Sequence, residues 1–112
     1  MTIQPAVFQS GVQLGAAATI ICTIATNVTA IIKRVTFTNT DTAARTITIY
    51  RVPKAGTPGP TNIIIDVYPL SAGQDYSPVA LSGLVLLAGE SLQGVSDVAS
   101  KVNAFASGFT TA

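Results

Sequence analysis

The stretch IIKRVTFTNTDTAARTITIYRV, residues 31–52, decides the fold class, because apolar and polar side chains alternate on both sides of a short polar segment. Alternation with a period of two is typical of half-buried β-strands. The segment TDTAA between the two halves has the length of a hairpin loop built around a type I turn. The sequence therefore predicts two antiparallel strands that pair with each other. Two pairs are expected to meet on the buried face: Val35 with Ile49, and Phe37 with Ile47.

The opposite face of this predicted hairpin is rich in threonine, where a soluble protein usually carries Lys and Glu. It consists of Arg34, Thr36, Thr38, Thr46, Thr48 and Tyr50. Such a face can meet either water or another protein without burying an unpaired charge. At the ends of the buried face, the same register places Lys33 opposite Arg51 and Asn39 near Arg45.

The basic end of the hairpin has two interpretations, a solvated rim or a salt-bridging contact with a partner or a phosphate. We predict that the threonine face and this basic end contact partner proteins. The candidate contact residues are Lys33, Arg34, Thr36, Thr38, Thr46, Thr48, Tyr50, Arg51 and Lys54.

Short strands separated by turn residues continue along the rest of the chain, which is rich in Thr, Val and Ile. The predicted strands span residues 6–14, 17–26, 29–39, 45–53, 62–69, 73–77, 83–88, 91–97 and 102–110, and SDVASKVNAF could instead hold a helical turn. This pattern predicts an all-β fold, a single-domain antiparallel β-sandwich that is jelly-roll-like and covers residues 1–112. Residues 1–5 are expected to form an extended N-terminal arm. The Pro/Gly-rich segment from Pro53 to Pro60 is expected to be an exposed loop, either a plain connection or a contact loop.

The composition indicates that apolar surface of this protein is covered by other subunits, either copies of itself or parts of an assembly. The chain has 112 residues, of which 48% are hydrophobic and only 10% are charged, whereas about 25% are charged in an ordinary soluble domain. The net charge of +1 gives no argument for binding nucleic acid or a membrane surface. No secretory signal is recognised in MTIQPAVFQSG. A single cysteine excludes an intrachain disulfide framework and is compatible with a reducing compartment.

Catalytic and ligand-binding patterns are not found in the sequence. The chain has no histidine, which removes the commonest general base and zinc ligand. Cys22 lies in TIICTIAT and is expected to be a buried, inert strand residue. The acids Asp41, Asp66, Asp75, Glu90 and Asp97 are isolated from one another, and the glycines form no phosphate-binding loop. No catalytic residue, metal site, cofactor or small-molecule substrate is therefore predicted.

Two segments together resemble small virion proteins of tailed bacteriophages. They are TAIIKRVTFTNTDTAARTITIYRVP and LVLLAGESLQGVSDVASKVNAFASGF, within residues 29–53 and 84–109. In the second, Gly89 is expected to make a turn, after which Leu92, Val95, Val102 and Phe105 return the chain to the sandwich. The resemblance implies a β-sandwich or jelly-roll fold and a non-enzymatic structural role, and no functional residues carry over from it.

The expected function is that of a capsid decoration or cement protein that stabilises the phage head through subunit contacts. Its expected partners are the major capsid protein or other virion subunits, and the chain is expected to form homo-oligomers. Its expected location is the virion, which is assembled in the host cytoplasm. A neck or tail component is the first alternative. A carbohydrate- or receptor-binding module is less favoured, because the chain has no Trp and only three Tyr. An enzyme is disfavoured by the absence of histidine. Exposed strand edges could be capped by strand addition during assembly.

Overall fold

The computed structural model describes residues 2–111 and places nine β-strands within them. They are β1 (Ile3–Gln13), β2 (Thr19–Thr23), β3 (Thr29–Asn39), β4 (Arg45–Val52), β5 (Ile63–Leu70), β6 (Asp75–Tyr76), β7 (Leu84–Leu86), β8 (Ser91–Ser96) and β9 (Val102–Thr111). Two short 3-10 helices, Pro60–Asn62 and Val79–Leu81, lie in connections. Each strand overlaps one of the predicted segments, because the period of two and the turn residues that end it are local signals.

The strands form two antiparallel sheets that pack face to face. Sheet A has the order β1-β9-β3-β6, with β7 also paired to β3, and sheet B has the order β2-β8-β4-β5. The pairs β1 with β9, β2 with β8, β3 with β6 and β7, and β4 with β5 are nested around the β4–β5 connection. A long hairpin rolled up in this way is a jelly roll. The predicted all-β antiparallel sandwich of jelly-roll type is therefore confirmed.

The predicted pairing of β3 with β4 is wrong. β3 lies in sheet A, where Val35 is opposite Ala106, and β4 lies in sheet B, where Ile49 is opposite Gly94. The chain crosses between the sheets at the TDTAA loop. The alternation of apolar and polar residues does not predict this crossing, because it determines which face of a strand is buried and not which strand lies beside it. The four side chains predicted to be buried are buried: Val35, Phe37, Ile47 and Ile49.

Asn39, at the end of β3, anchors the loop that crosses between the sheets. Its side chain is fully buried, and its Nδ2 donates to the carbonyl oxygens of Ala43, Leu70 and Ser71 at 3.0–3.1 Å. Its Oδ1 accepts the backbone amide of Asp41 at 3.0 Å. One buried side chain thus fixes the loop against the end of β5, and it satisfies its own polar atoms in doing so.

Two predicted details of secondary structure differ from the observed ones. The expected N-terminal arm is strand where the structure describes it, because Ile3 is opposite Thr111 and Pro5 is opposite Phe109 in the β1–β9 ladder. Met1 lies outside the described residues. The helical turn considered in SDVASKVNAF does not form, and residues 97–101 are bends and a turn between β8 and β9.

A continuous apolar core fills the space between the sheets. Its largest buried side chains include Leu14, Ile21, Ile32, Phe37, Ile47, Ile49, Leu70, Leu81, Leu86 and Leu92. Tyr68 of β5 and Tyr76 of β6 stack with ring centroids 4.1 Å apart and close one side of the sandwich. Within the part of the chain that is described, no helix is long and apolar enough to cross a membrane.

The edges of both sheets are interrupted. Register shifts occur in β1 on both sides of Gln9, in β2 after Ile20, and in the β4–β5 ladder, where β5 also contains Pro69. The other edge of sheet A consists of β6 and β7, which have only two and three residues. Bulges, prolines and short strands are the features that prevent edge-to-edge pairing. The edges therefore favour contacts through the sheet faces over the strand addition considered from the sequence.

Candidate interaction surface

The outer face of sheet A carries a row of apolar side chains that crosses four strands. The ladder partners in this row are Pro5 of β1, Phe109 of β9, Ile31 of β3 and Val85 of β7. Val7 lies beside them on β1. The side chain of Val7 is 71% exposed and that of Phe109, on the same face, is 37% exposed. Exposed apolar side chains that adjoin one another in this way mark surfaces for protein contact.

The alternation in β9 is the reverse of what hydrophobicity suggests. The inward positions are Val102, Ala104, Ala106 and Gly108, which are all buried. The outward positions include Phe105 and Phe109, which are 41% and 37% exposed. The expectation that Phe105 packs into the sandwich is therefore wrong, while Leu92 and Val102 are buried as expected. β9 is a central strand of sheet A, and it faces the core with small residues and the outside with aromatic ones.

A β-bulge in β3 places two cations on this face. Ile32 is opposite Gly108 and Arg34 is opposite Ser107, so Lys33 is an extra residue in the ladder. The bulge depends on Gly108, because a Cβ there would overlap the carbonyl oxygen of Ile31. Bulges commonly redirect side chains at functional positions. Here the bulge leaves Lys33 and Arg34 exposed side by side.

Three shallow depressions on this face meet at Ser107. The first adjoins Val7, Lys33 and Phe109, the second lies between the two cations and the Ser77–Val79 segment, and the third runs past Arg34, Thr36 and Phe105. We call this continuous surface the Ser107 groove. Its principal residues are Val7, Lys33, Arg34, Thr36, Phe105, Ser107 and Phe109. None of the residues that line the three depressions is acidic, so the groove is apolar and cationic.

Ion pairs neutralise Arg45 and Arg51 but not the two cations of the groove. Arg45 contacts Asp41 at 2.7 Å and Asp97 at 3.5 Å, and Arg51 contacts Glu90 at 3.0 Å. In residues 2–111 neither Lys33 nor Arg34 forms an ion pair. The positive charge of the groove is therefore available to an outside carboxylate or other anion.

The carboxylates of these ion pairs have lowered pKa values. The pKa of Asp41 is held below its usual range by the hydrogen bond from Arg45 and by the amide of Thr42. The amide of Leu87 lowers the pKa of Glu90, Arg51 adding to the effect. Burial acts to raise the pKa of Asp97, but the Thr46 amide and Arg45 outweigh it and lower the pKa.

The predicted contact residues do not share one surface. Thr36 and Thr38 lie on the outer face of sheet A, where their hydroxyls bond Ser77 at 3.0 Å and Asp75 at 3.1 Å. Their expected neighbours Thr46, Thr48 and Tyr50 alternate with buried residues of β4, which places them on the outer face of sheet B. The single threonine face is therefore wrong, because β3 and β4 belong to different sheets.

The predicted basic end of the hairpin is also divided. Lys33 belongs to the bulge of β3, whereas Arg51 is opposite Leu92 in sheet B and binds Glu90. Lys54 lies in the exposed loop after β4, with its aliphatic stem against Gly89. Of the nine predicted contacts, the structure brings together Lys33, Arg34 and Thr36 in the groove, with Thr38 farther along the same face.

Sequence reasoning missed the apolar part of the groove, which is formed by Val7, Phe105 and Phe109. A signal was present in VNAFASGF, where small residues alternate with Asn, Phe, Ser and Phe. The alternation shows that the two phenylalanines share a face. Only the packing of β9 between β1 and β3 shows which face that is.

The remaining titratable groups do not assemble into a reactive site. Cys22 is 6% exposed, and burial raises its pKa to about 11 despite a hydrogen bond with the Leu92 backbone. A thiol in this state is inert toward oxidation and exchange, as the sequence predicted from its apolar flanks. Across residues 2–111, no three Cys, Asp or Glu side chains are grouped so that they could hold a metal ion.

Comparisons with known proteins show the fold. No protein-family model matches the chain, and no curated protein matches it. A solved chain from the disulfide-linked pili of Bacillus endospore appendages has a TM-score of 0.54 and 16% identity, over 97% of this chain and 87% of that chain. A chain in the structure of infectious bursal disease virus, Gx strain, has a TM-score of 0.53 and 16% identity, over 97% of this chain and 31% of that chain. At such low identity the likeness establishes a shared β-sandwich fold and nothing further.

Proposed function

We propose that this chain is a non-enzymatic structural subunit of a tailed-bacteriophage virion, where it decorates or cements the head shell. Its partners are the major capsid protein and further copies of itself. The observation that carries the proposal is the Ser107 groove, an exposed apolar and cationic surface on the outer face of sheet A. The low proportion of charged residues, 10% of the chain, supports the same reading because the cores of protein interfaces are depleted in charge.

The comparisons with solved structures support the proposal that this chain is a subunit of a larger protein assembly. Two solved chains that share the fold belong to a pilus and to a virus. The resemblance of residues 29–53 and 84–109 to small tailed-phage virion proteins favours the virus among these settings. The buried state of Cys22 argues against disulfide-linked assembly, since the only thiol of the chain is covered by its own sheets.

The mechanism proposed is attachment through the outer face of sheet A. Phe105, Phe109 and Val7 supply apolar area that gains free energy when it is removed from water, about 25 cal/mol for each Å². Lys33 and Arg34 orient the partner through its carboxylates. No step requires a cofactor, a metal ion or a small-molecule substrate.

Quantitative mass spectrometry of the intact particle tests the proposal. A copy number comparable with that of the major shell protein is expected for decoration or cement. A far smaller number would place the protein in the neck or tail and would overturn the head assignment. Absence from purified particles would overturn the virion role altogether.

A matched pair of variants tests which face is used. Thr36→Glu adds a carboxylate beside Arg34 in the groove, where it competes with the carboxylates of the partner, and Thr46→Glu makes the same change at a half-buried threonine on sheet B. We expect the first to reduce incorporation into particles and the second to leave it unchanged. Equal incorporation of both variants would show that the outer face of sheet A is not the contact.

A further inference from the structure

Asp66 is the one acidic residue that has no side-chain partner in the described part of the chain. The other four acids each have one: Asp41 and Asp97 bind Arg45, Glu90 binds Arg51, and Asp75 accepts a hydrogen bond from Thr38. Asp66 is exposed on β5, the outer edge strand of sheet B. An unpaired carboxylate at an edge is normally solvated, so its significance depends on what lies beside it.

Beside Asp66 lies a strained and exposed valine. Val67 has φ +43° and is 59% exposed. A β-branched residue at positive φ is a genuine outlier, and its backbone is strained. Because the Val67 side chain is exposed, packing in the core does not compensate for this strain. Strain of this kind persists where a position serves a purpose other than stability.

The strain arises from a β-bulge that makes Asp66 and Val67 protrude together. Ile47 is opposite Tyr68 and Ile49 is opposite Ile65, so two residues of β5 share the place across from Thr48. We call Asp66 and Val67 the β5 bulge. It combines one unpaired acid with one exposed apolar side chain.

The β5 bulge and the Ser107 groove are complementary in charge and polarity. The groove offers two unpaired cations, Lys33 and Arg34, next to the apolar surface of Val7 and Phe109. The two surfaces belong to different sheets, since β5 forms the edge of sheet B and the groove lies on the outer face of sheet A. Asp66 forms no ion pair with either cation of its own chain. Their complement is therefore available in a second copy.

We propose that copies of this chain associate head to tail, with the β5 bulge of one copy seated in the Ser107 groove of the next. Asp66 pairs with Lys33 and Arg34, and Val67 packs against the apolar side of the groove. Such a contact is heterologous, so it generates closed rings or open filaments and not a two-fold dimer. This deepens the proposed function by naming the partner of the groove. It also agrees with the bulges at the sheet edges, which leave faces and protrusions as the surfaces for assembly.

Charge reversal in two separate copies gives the sharpest test. Asp66→Lys leaves a copy with a cationic groove and a cationic bulge, and Lys33→Glu with Arg34→Glu leaves a copy in which both are acidic. Each variant alone is expected to associate about tenfold more weakly than the natural chain or worse, because like charges then meet in every contact. Mixed in equal amounts, the two variants are expected to regain association, since every contact between unlike copies joins opposite charges. Sedimentation velocity over a range of concentrations measures both effects.

The control for charge alone is Lys54→Glu, which makes the same change outside the groove and is expected to leave association unaffected. A second variant, Val67→Gly, separates association from folding. Glycine accepts φ +43° without strain but is more flexible in the unfolded chain, so this variant is expected to unfold at an equal or higher denaturant concentration while associating more weakly.

Three outcomes would overturn the inference. They are a natural chain that stays monomeric at every concentration, charge-reversed copies that associate as the natural chain does, and a mixture that remains dissociated. A chain that is monomeric in solution yet abundant in particles would refute head-to-tail association and leave the proposed attachment to the major capsid protein standing. If the chain were absent from particles while the mixture of variants regained association, the proposed function would be refuted and head-to-tail association would stand.

Discussion

The hydroxyl of Thr48 accepts a hydrogen bond from the backbone amide of Val67 at 3.1 Å, across the bulge of β5. The amide would otherwise lack a strand partner, because two residues of β5 face Thr48 alone. The threonine that the sequence predicts as a contact for another protein thus supports a protrusion of its own chain. Its role in the proposed assembly is to hold Asp66 and Val67 in place.

Thr48→Val is expected to lower the free energy of unfolding by about 1 kcal/mol, the net value of a hydrogen bond of this kind. Valine keeps the shape and the β-propensity of threonine and replaces the hydroxyl, with its acceptor, by a methyl group. Thr48→Ser keeps the hydroxyl and is the matched control for the bond. Urea unfolding measures both. If Thr48→Val were as stable as the natural chain, the bond would not support the bulge.

Gly108→Ala is expected to be among the most damaging single changes, with a loss of about 3 kcal/mol or more. A Cβ at this position would overlap the carbonyl oxygen of Ile31, a backbone atom in the centre of sheet A that cannot move alone. The control is Gly59→Ala, since Gly59 has extended backbone at φ −168° and open space where the Cβ would lie. Thermal unfolding of the two variants tests this. Equal melting temperatures would show that the β3 bulge can relax.

Asn39→Asp is expected to destabilise the fold by about 3 kcal/mol or more, since it places a carboxylate against three backbone carbonyl oxygens in a fully buried site. The change preserves size, so packing is not altered. Asn27→Asp makes the same change at an exposed turn and is expected to stay within about 0.5 kcal/mol of the natural chain. Denaturant unfolding compares the two. A small effect at Asn39 would mean that the loop between the sheets is not anchored by this side chain.

Strand positions could be predicted from the sequence because their signals are local. The alternation of Val35 and Phe37 with threonine, and of Ile47 and Ile49 with threonine, is enough to identify two half-buried strands and the face that each one buries. The neighbours of a strand are set by contacts far along the chain. β3 pairs with β9, so Val35 meets Ala106, and no property of residues 31–52 encodes that choice.

In the candidate site too, features set by local sequence could be predicted, and features set by neighbouring strands could not. Lys33, Arg34 and Thr36 could be predicted to lie on an outer face because polar residues that alternate with apolar ones are visible in the sequence, and their role as contacts stays a prediction. Their apolar companions Phe105 and Phe109 could not, since apolar residues in a strand are assigned to the core unless the neighbouring strands are known. Bulges are a second source of error. The extra residue in β3 shifts Lys33 out of the alternation on which the predicted pairing with Arg51 depended.

The ion pair between Glu90 and Arg51 predicts loss of stability on the acid side. The amide of Leu87, together with Arg51, holds the pKa of Glu90 below its ordinary value of 4.5. The folded state therefore binds this proton less readily than the unfolded chain does. The stabilisation is present above pH 4.5 and is lost as the pH falls through the lower pKa of the folded state. Asp41 and Asp97, whose pKa values lie below 3.8, act in the same direction at still lower pH.

Glu90→Gln isolates the contribution of the carboxylate. At pH 7 the variant is expected to be less stable than the natural chain by about 1–2 kcal/mol, because the bonds to the Leu87 amide and to Arg51 lose their charge. The difference is expected to narrow as the pH falls below 4.5, since the natural chain then protonates Glu90 and comes to resemble the variant. Urea midpoints measured from pH 7 to the acid limit of folding give this difference directly. A gap that stayed constant over that range would show that ionisation of Glu90 is not the source of the difference and would contradict the prediction.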